Sequence, residues 1–148
     1  MIGVKIDQAK GLFFDAPKVV RAVDRATRQV LSKFGAYVRR GAKSSIRKRK
    51  RSAAAGSPPS SHTGLLKRFI YFGYDPDKQS VVIGPTKQNR GSSIPETLEH
   101  GGTATIVRRR RGKRTTTRVK IAPRPFMGPA MDRELPKLPA MWRDSVKR

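Results

Sequence analysis

The segment APKVVRAVDRATRQVLSKFGAYVRRGAKSS, Ala16 to Ser45, decides how this chain folds. Val19, Val20, Val23, Ala26, Thr27, Val30, Leu31, Phe34, Tyr37, Val38 and Ala42 recur at steps of three and four. Lys18, Arg21, Arg25, Arg28, Lys33 and Arg39 fall mostly between them. That spacing predicts one amphipathic helix, about 45 Å long at 1.5 Å per residue. Asp15 offers an N-cap, and Pro17 stands in the first turn, where its missing N–H is harmless. Gly35 and Gly41 each lower helix propensity by about 1 kcal/mol against Ala.

Upstream, Ile2, Val4 and Ile6 alternate with polar or small residues as in a short strand, and Leu12, Phe13 and Phe14 form an apolar plug. Downstream, RKRKR (Arg47–Arg51) and SAAAGSPPSSHTG predict a basic flexible arm over 46–63. LLKRFIYFGY (Leu65–Tyr74) reads as a strand, Asp75-Pro76-Asp77-Lys78 as a turn, and SVVIG (Ser80–Gly84) as the returning strand. The stretch Pro85–Pro95 has no periodicity and reads as a loop. TATIVRRRRGKRTTTRVKI predicts a basic hairpin over 103–121, with Gly112 in its turn. In APRPFMGPA the prolines impose an extended entry and then a helix start. Met127, Ala130, Met131 and Leu135 then share a helical face, and Leu138, Met141, Trp142 and Val146 make a last short amphipathic piece beyond Pro136. The expectation is a single α+β domain over 1–148: a long N-terminal amphipathic helix packed on a small antiparallel sheet, a basic hairpin and a short C-terminal helix.

Composition restricts the chemistry. The chain of 148 residues holds 34 Lys and Arg against 10 Asp and Glu, a net charge of +24, with 2 His and no Cys. Without Cys there are no disulfides, thiolate zinc sites or iron–sulfur clusters. No run of about 18 apolar residues predicts a membrane span. The N-terminus lacks the charged-then-apolar order of a signal peptide, so the expected site of synthesis and residence is a cytoplasm or a particle assembled there. The segment Glu96, Glu99, His100 is E-x-x-E-H rather than the zinc-binding H-E-x-x-H, and Gly101 and Gly102 argue for loop there. Glu99 is expected to anchor the fold by pairing one of the many arginines. No catalytic or metal-binding residues, and no cofactor, are expected.

The basic clusters carry the functional signal. Arg47, Lys48, Arg49, Lys50 and Arg51 sit on the arm, and Arg108, Arg109, Arg110, Arg111, Lys113 and Arg114 at the hairpin tip. Arginine-rich tips without interleaved aromatic or amide side chains suit phosphate contact rather than base reading. Six phosphate contacts would give a log-affinity against log-salt slope of about −5. Acidic protein surfaces and simple solvation are the alternative uses of such charge.

Three strings, in order, resemble a known family. SHTGLLKRFIYFG (Ser61–Gly73), IPETLEHGGT (Ile94–Thr103) and APRPFMGPAMDRELPKLPAMWRDSV (Ala122–Val146) are similar to segments of the lambdoid head–tail junction group of tailed phages, the gene-product-ten-like neck or tail-completion proteins. The matching positions include His62, Thr63, Gly64, Leu65, Glu99, Gly101, Gly102, Pro123, Pro125, Phe126 and Pro129, for which folding roles are expected. The resemblance implies a non-enzymatic virion protein at the head–tail junction, assembled in the host cytoplasm. It implies a closed ring, a hexamer, around the DNA channel. Its partners would be its own copies, neighbouring connector and tail terminator or tube proteins, and packaged DNA through the basic tips, with no membrane. The rival expectation is a small basic DNA- or RNA-binding protein.

Overall fold

The computed structural model describes residues 16–86, 94–110, 112–143 and 145–146. The expected strand and plug over 1–14, the Asp15 cap, most of the Pro85–Pro95 loop and Arg111 lie outside the described residues.

Helix α1 spans Ala16–Ser45, as its periodicity predicts. Its buried positions, Ala26, Thr27, Val30, Phe34, Gly35, Val38 and Ala42, follow one stripe of four-residue steps with two flanking positions. Short strands β1 (Arg47–Lys48) and β2 (Ser60–Ser61) pair in parallel across the intervening loop. A helical turn α2 (Leu65–Arg68) precedes strand β3 (Ile70–Asp75), which pairs antiparallel with β4 (Ser80–Pro85). Helix α3 (Ile94–His100) leads into strands β5 (Gly102–Arg110) and β6 (Lys113–Ile121), a second antiparallel ribbon. Helix α4 (Gly128–Glu134), a 3-10 turn (Leu135–Lys137) and helix α5 (Leu138–Trp142) follow. The fold is α+β, and among the described residues no helix is long and apolar enough to cross a membrane.

The core lies between α1, the β3–β4 hairpin and α4. Phe34, Val38, Ala42, Ile46, Ile70, Phe126 and Ala130 form it, with Leu66, Val81, Ile83, Leu98, Met127, Leu138 and Met141 packed around. Phe126 is buried within this core. Gly35 has a packing reason that outweighs its propensity cost: a Cβ there would stand 2.7 Å from Val81 Cγ2 and 2.9 Å from Phe72 Cδ2. The hairpin runs back along α1, and at its turn Gln79 Nε2 donates to Asp24 Oδ1 at 3.1 Å. Asp75 Oδ1 accepts the Asp77 and Lys78 N–H groups, the local bonding that makes Asp a turn former.

The expected small antiparallel sheet is the β3–β4 hairpin lying along α1, the basic hairpin is the separate β5–β6 ribbon, and the described strands form three two-stranded units. Three details depart from the sequence reading. Leu65–Arg68 is helical, because Gly64 takes a left-handed conformation (φ 78°) that turns the chain into it. Glu99 and His100 end a helix, and Gly101 (φ 77°) is the left-handed residue that stops it. The segment 46–63, expected as a flexible arm, is tied to the body. Ala53, Pro59 and Ser61 are buried, Gly56 N donates to Pro123 O at 2.8 Å, and Arg124 Nε donates to Ala53 O at 2.9 Å.

Candidate nucleic-acid interface

The β5–β6 ribbon carries its basic residues by virtue of the pleat. Residues opposite in register share a face, and the face alternates along each strand. Thr103 opposes Lys120, Thr105 opposes Arg118, Val107 opposes Thr116 and Arg109 opposes Arg114, all on one face. That face presents four cations. Arg118 and Lys120 stand about 7 Å apart along the strand, given roughly 3.4 Å per residue. The other face, toward the base, carries the Ala104–Val119 and Ile106–Thr117 pairs and Ile121. Gly112 (φ 77°) supplies the left-handed turn at the tip.

The ribbon leans on α3 near its base, and every β6 position from Lys113 to Lys120 is exposed. Its tip brings like charges together, with Arg109 opposite Arg114. Like charges directly opposite one another in a ladder destabilise it. The arrangement is therefore poor for the isolated ribbon and well suited to a polyanion that neutralises both sides.

The second cluster is built differently. Arg47, Lys48, Arg49, Lys50 and Arg51 are all exposed, but the β1–β2 pairing and the buried Ala53 fix the path of their backbone. His62 is exposed and shares a small hollow with Lys48, Arg49 and Lys50.

A third basic group, from the Arg39–Arg51 stretch that the sequence already marks as basic, gathers around Tyr71. Arg39 Nε donates to Ile70 O at 2.9 Å, which holds the guanidinium 5.9 Å from the Tyr71 ring centroid. Lys43 lies at the same distance from that ring. Partial burial of its ammonium, with Arg39 and Lys67 nearby, lowers the Lys43 pKa below its ordinary value of 10.5. The helical spacing of Arg39 and Lys43 was legible, but their meeting with Tyr71 and Lys67 depends on the hairpin lying across α1.

Several of the residues for which folding roles are expected make bonds within the fold. The Glu99 carboxylate accepts the N–H groups of Phe126, Met127 and Gly128 at 2.9, 3.1 and 2.7 Å. This corrects the expected arginine partner: the opening of α4 presents three backbone donors, and the carboxylate satisfies them together. A Cβ on Gly101 would meet Pro123 Cδ at 3.0 Å, so the Gly101–Gly102 corner and the Pro123–Pro125 segment are fitted to one another. Arg124 N donates to Leu98 O across the same junction. Ser61 Oγ accepts the Gly64 N–H, and Thr63 Oγ1 accepts that of Leu65, fixing the start of α2. Pro129 lies in the first turn of α4. Among the described residues no three His, Asp or Glu side chains gather as a metal site. A scan against protein-family models finds no match to this chain, and neither the curated proteins nor the solved structures yield one.

Proposed function

We propose that the protein is a non-enzymatic structural component of a tailed-phage neck, forming a closed ring around the DNA channel and joining head to tail. The observation that carries this reading is the β5–β6 ribbon: two nine-residue strands, extensively exposed, with the like-charged Arg109–Arg114 pair near the tip. A two-stranded ribbon is marginal alone in water, so it gains most from an assembly that covers it and supplies counter-charge. The three motif strings that resemble the head–tail junction group point the same way. In a ring, one face of each subunit meets a different face of the next, a heterologous contact that closes on itself. The exposed Val19, Val20 and Val23 stripe on α1 supplies apolar surface for such a contact.

The test combines assembly with infectivity. Sedimentation velocity and negative-stain imaging of the full chain, with and without duplex DNA, are expected to show closed rings of six. Arg108, Arg109, Arg110 and Arg111→Ser together are expected to leave the fold intact and impair head–tail joining or DNA retention. Wild-type yields of infectious particles from that variant would remove the role of the tip. A monomer that binds one nucleic-acid sequence strongly over others would favour a small DNA- or RNA-binding protein, which the same basic face also fits.

A further inference from the structure

A hollow of about 490 Å³ opens where the end of α1, the β1–β2 loop and α4 meet, lined among others by Arg47, Arg49, Arg133, Ser45, Ser57 and Ser60. We propose that this hollow is a binding site for a phosphoryl anion, held by the three guanidinium groups. Arg47 and Arg49 lie on the basic run, but Arg133 comes from a different part of the chain, and only the tertiary fold brings it to them.

Three observations carry the assignment. Among the described residues no carboxylate pairs with Arg47, Arg49 or Arg133, and the neighbouring Glu134 is engaged at 2.9 Å by Lys137. Planar guanidinium forks match phosphate oxygens two at a time, so three exposed forks without a carboxylate partner around one hollow suit an anion. The Ser60 hydroxyl oxygen, on the wall of the hollow, is buried without a hydrogen-bond partner among the described residues. The walls are also fixed: Arg47 is in register with Ser60, the loop is bonded to Pro123 and Arg124, and α4 is anchored by the buried Ala130.

The C-terminal end of α1 lies at the rim and contributes about half a negative charge. Ser44 and Ser45 hydroxyls donate to the Gly41 and Ala42 carbonyls at 2.9 and 2.8 Å, which blunts that effect. Three full positive charges outweigh it. Arg49 also borders the adjoining hollow of about 160 Å³ with Lys48, Lys50 and His62, so the basic surface continues beyond the first phosphate. A phosphodiester backbone and a free polyphosphate share this chemistry.

The site extends the polyanion contact of the proposed function, and it is tested on binding alone, so a failure to form rings would not bear on it. The experiment uses the full chain, Arg133→Gln, and Arg143→Gln as an exposed control outside the hollow. Circular dichroism checks that each variant is folded, and the double variant Arg47→Gln, Arg49→Gln replaces Arg133→Gln if that one is not. The probes are a random-sequence duplex of about 20 base pairs and inorganic pyrophosphate, each titrated across a salt series around 100 mM. Arg133→Gln is expected to weaken binding roughly tenfold and to flatten the duplex salt slope by about one, while Arg143→Gln stays within about twofold of wild type. Loss of duplex binding alone identifies the nucleic-acid backbone as the source of the phosphate. Loss of pyrophosphate binding, alone or with the duplex, identifies a site that also takes the free anion. Equal effects of Arg133→Gln and Arg143→Gln, or no effect of either, would overturn the proposal.

Discussion

Replacing Glu99 tests the most distinctive junction in the fold. Its carboxylate accepts three successive backbone N–H groups, from Phe126, Met127 and Gly128, where the chain enters α4. Removing it leaves three donors without that partner. Gly128 is exposed and can turn to water, whereas Phe126 is 1% exposed. Hydrogen bonds to a charged acceptor contribute about 1.5–3 kcal/mol each, and recovery by water reduces the total. Glu99→Ala is therefore expected to cost about 2–4 kcal/mol. Glu99→Gln keeps one carbonyl oxygen but points an amide donor at a backbone donor, and is expected to cost about 1–2 kcal/mol. For a chain of this size, roughly 3 kcal/mol corresponds to a fall of about 6–12 °C in Tm. Thermal and urea unfolding of both variants, beside Glu96→Gln on the exposed side of the same helix, provide the assay. Glu96→Gln should stay within about 0.5 kcal/mol of wild type. Equal stability of all three would refute the claim that this carboxylate organises the start of α4.

Four other outcomes follow from the packing and charge. Gly35→Ala gains about 1 kcal/mol of helix propensity but meets Val81 and Phe72 below 3.0 Å, so urea unfolding should show a net loss of about 1–2 kcal/mol. Gly41→Ala places its Cβ 3.5 Å from Ala130 Cβ, an ordinary contact, and should be neutral or stabilising by up to about 1 kcal/mol. Arg114→Thr removes the like-charge pair with Arg109: hydrogen exchange should show a ribbon firmer by a few tenths to about 1 kcal/mol at low salt, while fluorescence anisotropy shows weaker duplex binding. Lys43 is less easily protonated in the fold than in the unfolded chain, so its penalty is present at neutral pH and is relieved as pH rises toward 10.5. The stability difference between Lys43→Met and wild type should therefore shrink across that alkaline interval, and a constant difference would remove the role of its partly buried charge.

The sequence alone determined the helix Ala16–Ser45, because its buried stripe repeats at the helical period and local periodicity is a property of the chain itself. The turn at Asp75–Lys78, the tip at Gly112 and the helix start after Pro125 were legible for the same reason: each is set by the backbone preferences of one or two residues. The basic tip was legible as composition. Tertiary structure alone decided that Glu99 serves the amides of α4 instead of an arginine, since carboxylates find many donors and only the approach of two distant segments selects among them. It also decided that Gly35 admits a hairpin at close range, that the Arg47–Arg51 run is tied down, and that Arg133 joins Arg47 and Arg49. These are relations between residues far apart in the chain. They depend on which surfaces pack together, and no local pattern records that.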